Sequence, residues 1–309
     1  MVALGATISA FWILVANSWQ QTPAGHIVVN GRAELVDFWA AVFNPSTLPR
    51  FFHTLTATLI AGAFFVAGIA TYYLLKNSSH LFGRKAMKLA VILGLFASVI
   101  QVFPFGHWHG QQVAATQPEK FAAIMGIYST ETKAPVVLFA VPVDKPPELK
   151  ARIQIPGLLS WLAFGDVNAP IKGLDEFHRD EVPPLFLTFV SYHNMVVLGM
   201  WFILVMGLAA FFLWKDTLWE RNWLLKALLW SIPLPVLASQ LGWIAAEVGR
   251  QPWTVYRLLR TEHSVSVTVS AETVLFAIIV FFVIYAAMGF TYLYLVAKKV
   301  KQGPEPTGA

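Results

Sequence analysis

The sequence predicts an all-α, polytopic transmembrane helical bundle of about six spans with one long extracytoplasmic loop, and three observations carry that prediction. Hydrophobic residues make up 57% of the 309, and mean hydropathy is +0.60. Charged residues are only 13%, about half the usual share of a globular domain. Apolar runs that approach or exceed the roughly 20 residues needed to cross a bilayer fall at about 2–18, 51–75, 86–104, 185–214, 224–244 and 271–297.

The run 2–18 is short, but it lacks a basic start and an AxA-like cleavage site, so it reads as a span and not as a signal peptide. In the run 51–75, His53, Ala57 and Ala61 share one helical face, with Gly62 close by. Small residues there admit either another helix or a flat macrocycle. The run 185–214 repeats the arrangement, with Met195 followed by Gly199 at i+4. Pro233 and Pro235 remove backbone donors from the run 224–244 and predict a kink.

The segment 105–183 is the one large extramembrane piece, with a helix-like stretch from Glu119 to Tyr128. His107 and His109 form an HxH pair, read as loop residues in turn-forming or solvated roles. The Pro- and charge-rich stretch Pro142 to Pro156 is expected to be mobile, and the tail after Lys301 disordered. The chain thus divides into 1–104 (three spans), 105–183 (loop), 184–300 (three spans) and 301–309 (tail).

Net charge is +5, and its placement sets orientation. Lys76, Arg84, Lys85 and Lys88 lie in one short loop, Lys215, Arg221 and Lys226 in another, and Lys298, Lys299 and Lys301 near the end. Six spans put all three on one face, cytoplasmic by the positive-inside rule, in an inner membrane contacted by lipid. These are topology signals and imply no nucleic-acid partner. Trp19, Trp214, Trp219 and Trp253 near span ends fit an interfacial belt. Cysteine is absent, which excludes disulfides, thiolate metal sites and a cysteine nucleophile, so any metal must be held by His, Met or carboxylate.

An ionised side chain at membrane depth costs roughly 2.5–3.5 kcal/mol on insertion scales. That singles out His53 and Glu247, and the sulfur-bearing Met195 joins them as a candidate metal donor. His and Met together suit a low-spin haem iron; each alone also suits ordinary packing. Glu247, three residues before Arg250, fits a surface ion pair or a carboxylate ligand or proton acceptor. Spacing alone leaves both pairs of readings open.

ANSWQQTPAG at 16–25, RFFHT at 50–54, TQPEKFAAIMG at 116–126, IQIPGLLS at 153–160, SYHNMV at 191–196 and GRQPW at 249–253 resemble, in order, subunit I of the cytochrome bd quinol oxidases. The resemblance runs from Val2 to about Lys299. It implies that His53 and Met195 are the axial ligands of a low-spin haem b, and that Glu247 serves a high-spin haem b, with Trp243 beside it. It places Arg50 close to haem and His193 where a basic residue meets a propionate. A haem d completes the implied set. Lys120 is the implied quinol-binding residue, with Arg250, Gln251 and Trp253 of GRQPW at the same site, and 105–183 the quinol-binding loop. Ser9 and Asn17 occupy polar positions of a proton route. The implied activity is quinol oxidation at the outer face and reduction of oxygen, with subunit II as partner.

Two departures stand out. The family's N-terminal spans have no counterpart in this sequence, so a partner chain or segment is expected to supply them. Met125 stands where relatives place the Glu of a Lys–Glu pair, leaving Glu119 or Glu131 as substitutes. A second reading is therefore a truncated haem-b electron-transfer or assembly subunit without its own oxygen-reducing centre. A transporter built of inverted repeats is disfavoured, because the halves show no internal similarity.

Overall fold

The computed structural model describes residues 1–144 and 147–304. Helices α1 (Val2–Gln21), α2 (Phe38–Val42), α3 (Thr47–Lys76) and α4 (Leu81–Ile100) open the chain. An antiparallel hairpin, β1 (His26–Val29) with β2 (Arg32–Leu35), follows α1 and turns at Asn30 and Gly31, both at positive φ.

Helix α4 does not stop near 104. It continues through a π-turn, Gln101–Gly106, into α5 (His107–Thr116), giving 36 continuous residues. Pro104 has no N–H to donate, which favours the wider turn over regular α geometry. His107 and His109 are therefore helical, and the expected boundary at 104 falls inside a helix.

Helices α3 and α4 form a tight pair whose turn is capped by His80 Nδ1, which accepts from Gly83 N at 3.1 Å. Their shared face carries Ile60, Phe64, Ala67, Val91 and Ala97. They pack with α8 (Leu185–Trp214), where the Phe64 and Phe202 rings lie 4.9 Å apart. A Cβ on Gly94 would meet Met206 Cε at 2.8 Å and Ala63 Cβ at 3.2 Å, so this glycine sets the approach of α3, α4 and α8. Close packing uses this face. Gly62, beside the expected face of Ala57 and Ala61, has nothing near its missing Cβ.

The run 224–244 is broken as expected: α9 (Asn222–Trp230) and α10 (Leu234–Val248) meet at 42°. Ser231 sits at the break, donating to Ala227 O at 2.7 Å and accepting from Trp201 Nε1 at 3.0 Å. With the bent pair taken as one, six crossings are long and apolar enough for a membrane. The last, α11 (Ala271–Gln302), has no buried residue and is tied in where Tyr73 Oη donates to Val300 O at 2.8 Å. The expected disordered tail is helical through Gln302, and residues 305–309 lie outside the described residues.

Three basic segments meet at one end of the bundle. Tyr73 reaches Val300, and the Arg84 guanidinium lies 4.7 Å over Trp219. The opposite, loop end has its own apolar centre, built from α5, α6 (Pro118–Met125) and α7 (Leu158–Phe164) around Val113, Phe121, Ile124, Leu159 and Ile171. Between α6 and α7, β3 (Val136–Asp144) pairs antiparallel with β4 (Pro147–Ile155). Within the stretch expected to be mobile, residues 142–144 and 147–155 are strand, and 145–146 lie outside the described residues. A last small hairpin joins β5 (Trp253–Val255) to β6 (Leu259–Arg260) after α10.

Candidate functional site

The site is assembled where α1 and α10 end and α3 begins, capped by α6. Glu247, in the last turn of α10, accepts from Asn17 Nδ2 of α1 at 3.1 Å and from Arg250 in a close ion pair. Arg250 also donates to Gln20 Oε1 at 2.9 Å and to Thr254 O at 2.7 Å. Glu247 and Arg250 therefore do form the ion pair that their spacing allows, and it is part of a wider network.

Lys120 is the second anchor. It is only 6% exposed, and its Nζ donates to Gln21 Oε1 at 2.9 Å and to Ala246 O at 3.0 Å. Gln117 Nε2 donates to Gln21 O at 3.1 Å, fastening α6 onto α1. A Cβ on Gly249 would lie 3.2 Å from the Lys120 stem, so glycine makes room for it. Burial, reinforced by the Arg50 cation, pushes the Lys120 amine down to about 7, with Glu247 acting against the shift.

Arg50, on the first turns of α3, is also 6% exposed. Its guanidinium makes a 3.4 Å bond to Asn17 O and stands 5.8 Å from the Trp243 ring centre. His53 lies one turn further along. Its Nε2 is 3.2 Å from Gln101 Nε2, and its ring meets that of His109 at 5.4 Å, edge to face. Its Nδ1 is buried with no hydrogen bond. Met195 approaches the same end from α8, its sulfur 2.8 Å from where a Cβ on Gly242 would sit. One turn beyond it, an added Cβ on Gly199 would touch Val102, in the π-turn that carries Gln101 and Gly106 beside His53.

The family model described as cytochrome bd terminal oxidase subunit I matches residues 1–304. The chain belongs to that family. Cytochrome bd ubiquinol oxidase subunit 1 of Bacillus subtilis is 37% identical over 319 residues, covering 99% of this chain and 67% of that protein. Cytochrome bd-II ubiquinol oxidase subunit 1 of Escherichia coli is 27% identical, over 98% of this chain and 72% of its own length. The structure of bd oxidase from Geobacillus thermodenitrificans superposes with a TM-score of 0.88 at 30% identity, over 98% of this chain and 69% of that one. As a cytochrome bd subunit I, the chain is a membrane component of a terminal oxidase, and haem is the family's cofactor.

The residues present fit that cofactor. Arg50, with its five donors, has little to bind within the protein, as suits a buried cation waiting for carboxylates such as haem propionates. His53 leaves its Nδ1 without a partner, and Gly242 lets the Met195 sulfur approach closely, so an imidazole and a thioether, donors that haem iron accepts, stand at this end of the bundle.

Asn17, Arg50, Lys120, Trp243, Glu247 and Arg250 come together at this end of the cytochrome bd subunit I fold. Gln251 is tied to it, donating to Glu247 O at 3.4 Å and accepting from Thr261 Oγ1 at 2.8 Å. Trp253 lies on β5 with a buried Nε1 that has no partner. Two expectations are met differently. Ser9 is exposed on α1, two turns from Asn17. His193 turns its ring nitrogens to Phe189 O at 2.9 Å and Val137 O at 3.1 Å, so it clasps the β3 strand and does not join Arg50. Its i−4 carbonyl and the packed hairpin supply both contacts. Gln20, Gln21 and Gln101 carried no expected role, and His109, expected to be turn-forming or solvated, instead lies on α5 with its ring against His53. The paired amides at the end of an apolar run were the available signal for the first two.

Proposed function

We propose that this chain is the haem-carrying subunit of a quinol:oxygen oxidoreductase, taking quinol at the loop end and passing its electrons inward. The supporting observation is that two buried cations are held to the last turns of α1, Lys120 by Gln21 Oε1 and Arg50 by Asn17 O, with His53 one turn along α3 from Arg50. In this reading His53 and Met195 hold a low-spin haem b, Glu247 serves a high-spin haem b, and a haem d completes the set. Bound haem supplies one-electron relay and, where an iron position stays open, oxygen chemistry.

The protein's own work is positional. Lys120 donates to a quinol oxygen, with Arg250, Gln251 and Trp253 shaping the entrance. Arg50 neutralises carboxylates of the macrocycle, aided by the face of Trp243. Asn17 orients the Glu247 carboxylate and, with Ser9, marks α1 as a proton route. The basic end faces the cytoplasm of an inner membrane, which puts the C-terminus inside and quinol oxidation outside. Subunit II is the proposed partner. The relatives are longer than this chain, and the rest of their length is needed for the whole activity, within one polypeptide or two.

Purified complex tests this directly. A reduced-minus-oxidised spectrum with b-type and chlorin bands, together with quinol-driven oxygen uptake, is expected. A b-type band without oxygen uptake would return the reading of an electron-transfer subunit, and no haem at all would reject both.

A further inference from the structure

Glu119 is a second buried carboxylate that the reading above leaves idle. It is 4% exposed, and its Oε2 is buried without a hydrogen bond. The nearest cation to that oxygen is Arg257, whose guanidinium is 4.0 Å away and whose side chain is 59% exposed at the tip of the β5–β6 hairpin. Tyr256, next to Arg257, buries its hydroxyl beside Glu119, while its N–H donates to Gln20 O at 2.9 Å. Burial, and Glu119 beside it, push that phenol up from its ordinary value. A structural carboxylate at such depth normally accepts several hydrogen bonds, since an unpaired charge is costly there.

We propose that Glu119 accepts the hydroxyl proton of bound quinol and releases it to water at the loop end past Tyr256 and Arg257. This rests on the quinol reading above. Other groups at this end are committed. Both Glu247 oxygens are taken by Asn17 and Arg250, and Lys120 is the donor to the quinol in the reading above. Asp175 and Glu176, in the turn against α6, bond to Thr130. Glu131 is exposed, and Met125 packs into the apolar cluster. On the far side of α6, Tyr192 packs into the same cluster. The charged and titratable groups facing Glu119 are thus Arg257 and Tyr256 from the hairpin and Lys120 on its own helix.

The step balances. A quinol O–H bond breaks, its proton forms an O–H bond on Glu119 Oε2, and one electron leaves the quinol for haem iron as the one-electron oxidant. Release of that proton to water restores the carboxylate. A second round completes quinone, with two protons and two electrons delivered in all.

The test uses the assembled oxidase in membranes, with haem content as the control for assembly. Glu119→Gln is expected to lower the maximal quinol oxidation rate at least about 10-fold with a smaller change in KM, and Glu119→Asp to restore most of it. Arg257→Gln, at an exposed position on the release path, should lower the rate by a smaller factor than Glu119→Gln. Infrared difference spectra on reduction should show a carboxylic-acid band that Glu119→Gln removes. Wild-type rates and pH profile in Glu119→Gln would overturn the proposal. If that variant does not assemble, an unchanged rate in Arg257→Gln with no carboxyl band in wild type would overturn it instead. Absence of quinol oxidation in the wild-type complex would reject the functional reading itself.

Discussion

The two ends of this bundle carry charge in opposite ways. At the loop end Arg50, Glu119 and Lys120 are buried, and they come from helices that meet only after folding. At the basic end Lys76, Arg84, Lys215 and Arg221 stand 4.1–4.9 Å from the ring centres of Tyr72, Trp219, Trp214 and Phe212, in wetter surroundings. Cations laid on interfacial aromatics contribute about 0.5–1 kcal/mol each and tolerate exchange. Cations withdrawn from water must be matched atom by atom. The difference teaches where chemistry is concentrated: at the end where charge is expensive to keep.

The sharpest way to break that contrast is at the proposed axial pair. His53→Ala or Met195→Leu should abolish the low-spin haem signal in reduced-minus-oxidised spectra while the chain still inserts. Unchanged spectra in both would refute the assignment. Glu247→Ala strands Arg250 and Asn17, and should perturb the high-spin signal more than the low-spin one, with a loss of activity of about 10-fold or more. A change confined to the low-spin signal would mean the two roles are exchanged.

Lys120→Met should raise the quinol concentration for half-maximal rate by about 5–20-fold, equivalent to a charged hydrogen bond of ~1–2 kcal/mol. It also carries a pH signature. With the folded value near 7 and the ordinary one 10.5, the unfolded chain holds a proton that the folded chain has released across that window. Stability contributed by this group therefore rises with pH from about 7 upward. Thermal melts between pH 7 and 9 should show the rise in wild type and a flatter profile in Lys120→Met. At the basic end, Arg84→Ala should shift the melt by less than about 1 kcal/mol and leave oxygen uptake intact.

Much of the scaffold was legible because periodicity and length are properties of contiguous residues. The six crossings and the break at Pro233 follow from apolar runs and a missing N–H. The third span was read as ending at 104 because polar His107 and His109 follow Pro104, and local polarity cannot reveal a π-turn that carries the helix on. The Asn30–Gly31 pair, a local turn signal, coincides with the β1–β2 turn. At the site, Glu247 and Arg250 are three apart and could be paired on paper. Gln21 and Lys120 are not, since their bond joins positions 99 apart in the chain and exists only once α6 lies across α1. His193 shows the reverse case: a motif position whose partners, Phe189 O and Val137 O, are backbone atoms that no residue-type pattern encodes.

The wide turn at Gln101–Gly106 has a consequence for what insertions and deletions this protein can survive. Each residue added to or removed from a helix swings everything downstream by about 100°. Shortening this turn by one would carry His109 off the face that meets His53, and would re-aim α5 and the approach to α6 behind it. In that six-residue window the number of residues sets the aim of everything that follows, whatever side chains most of them carry.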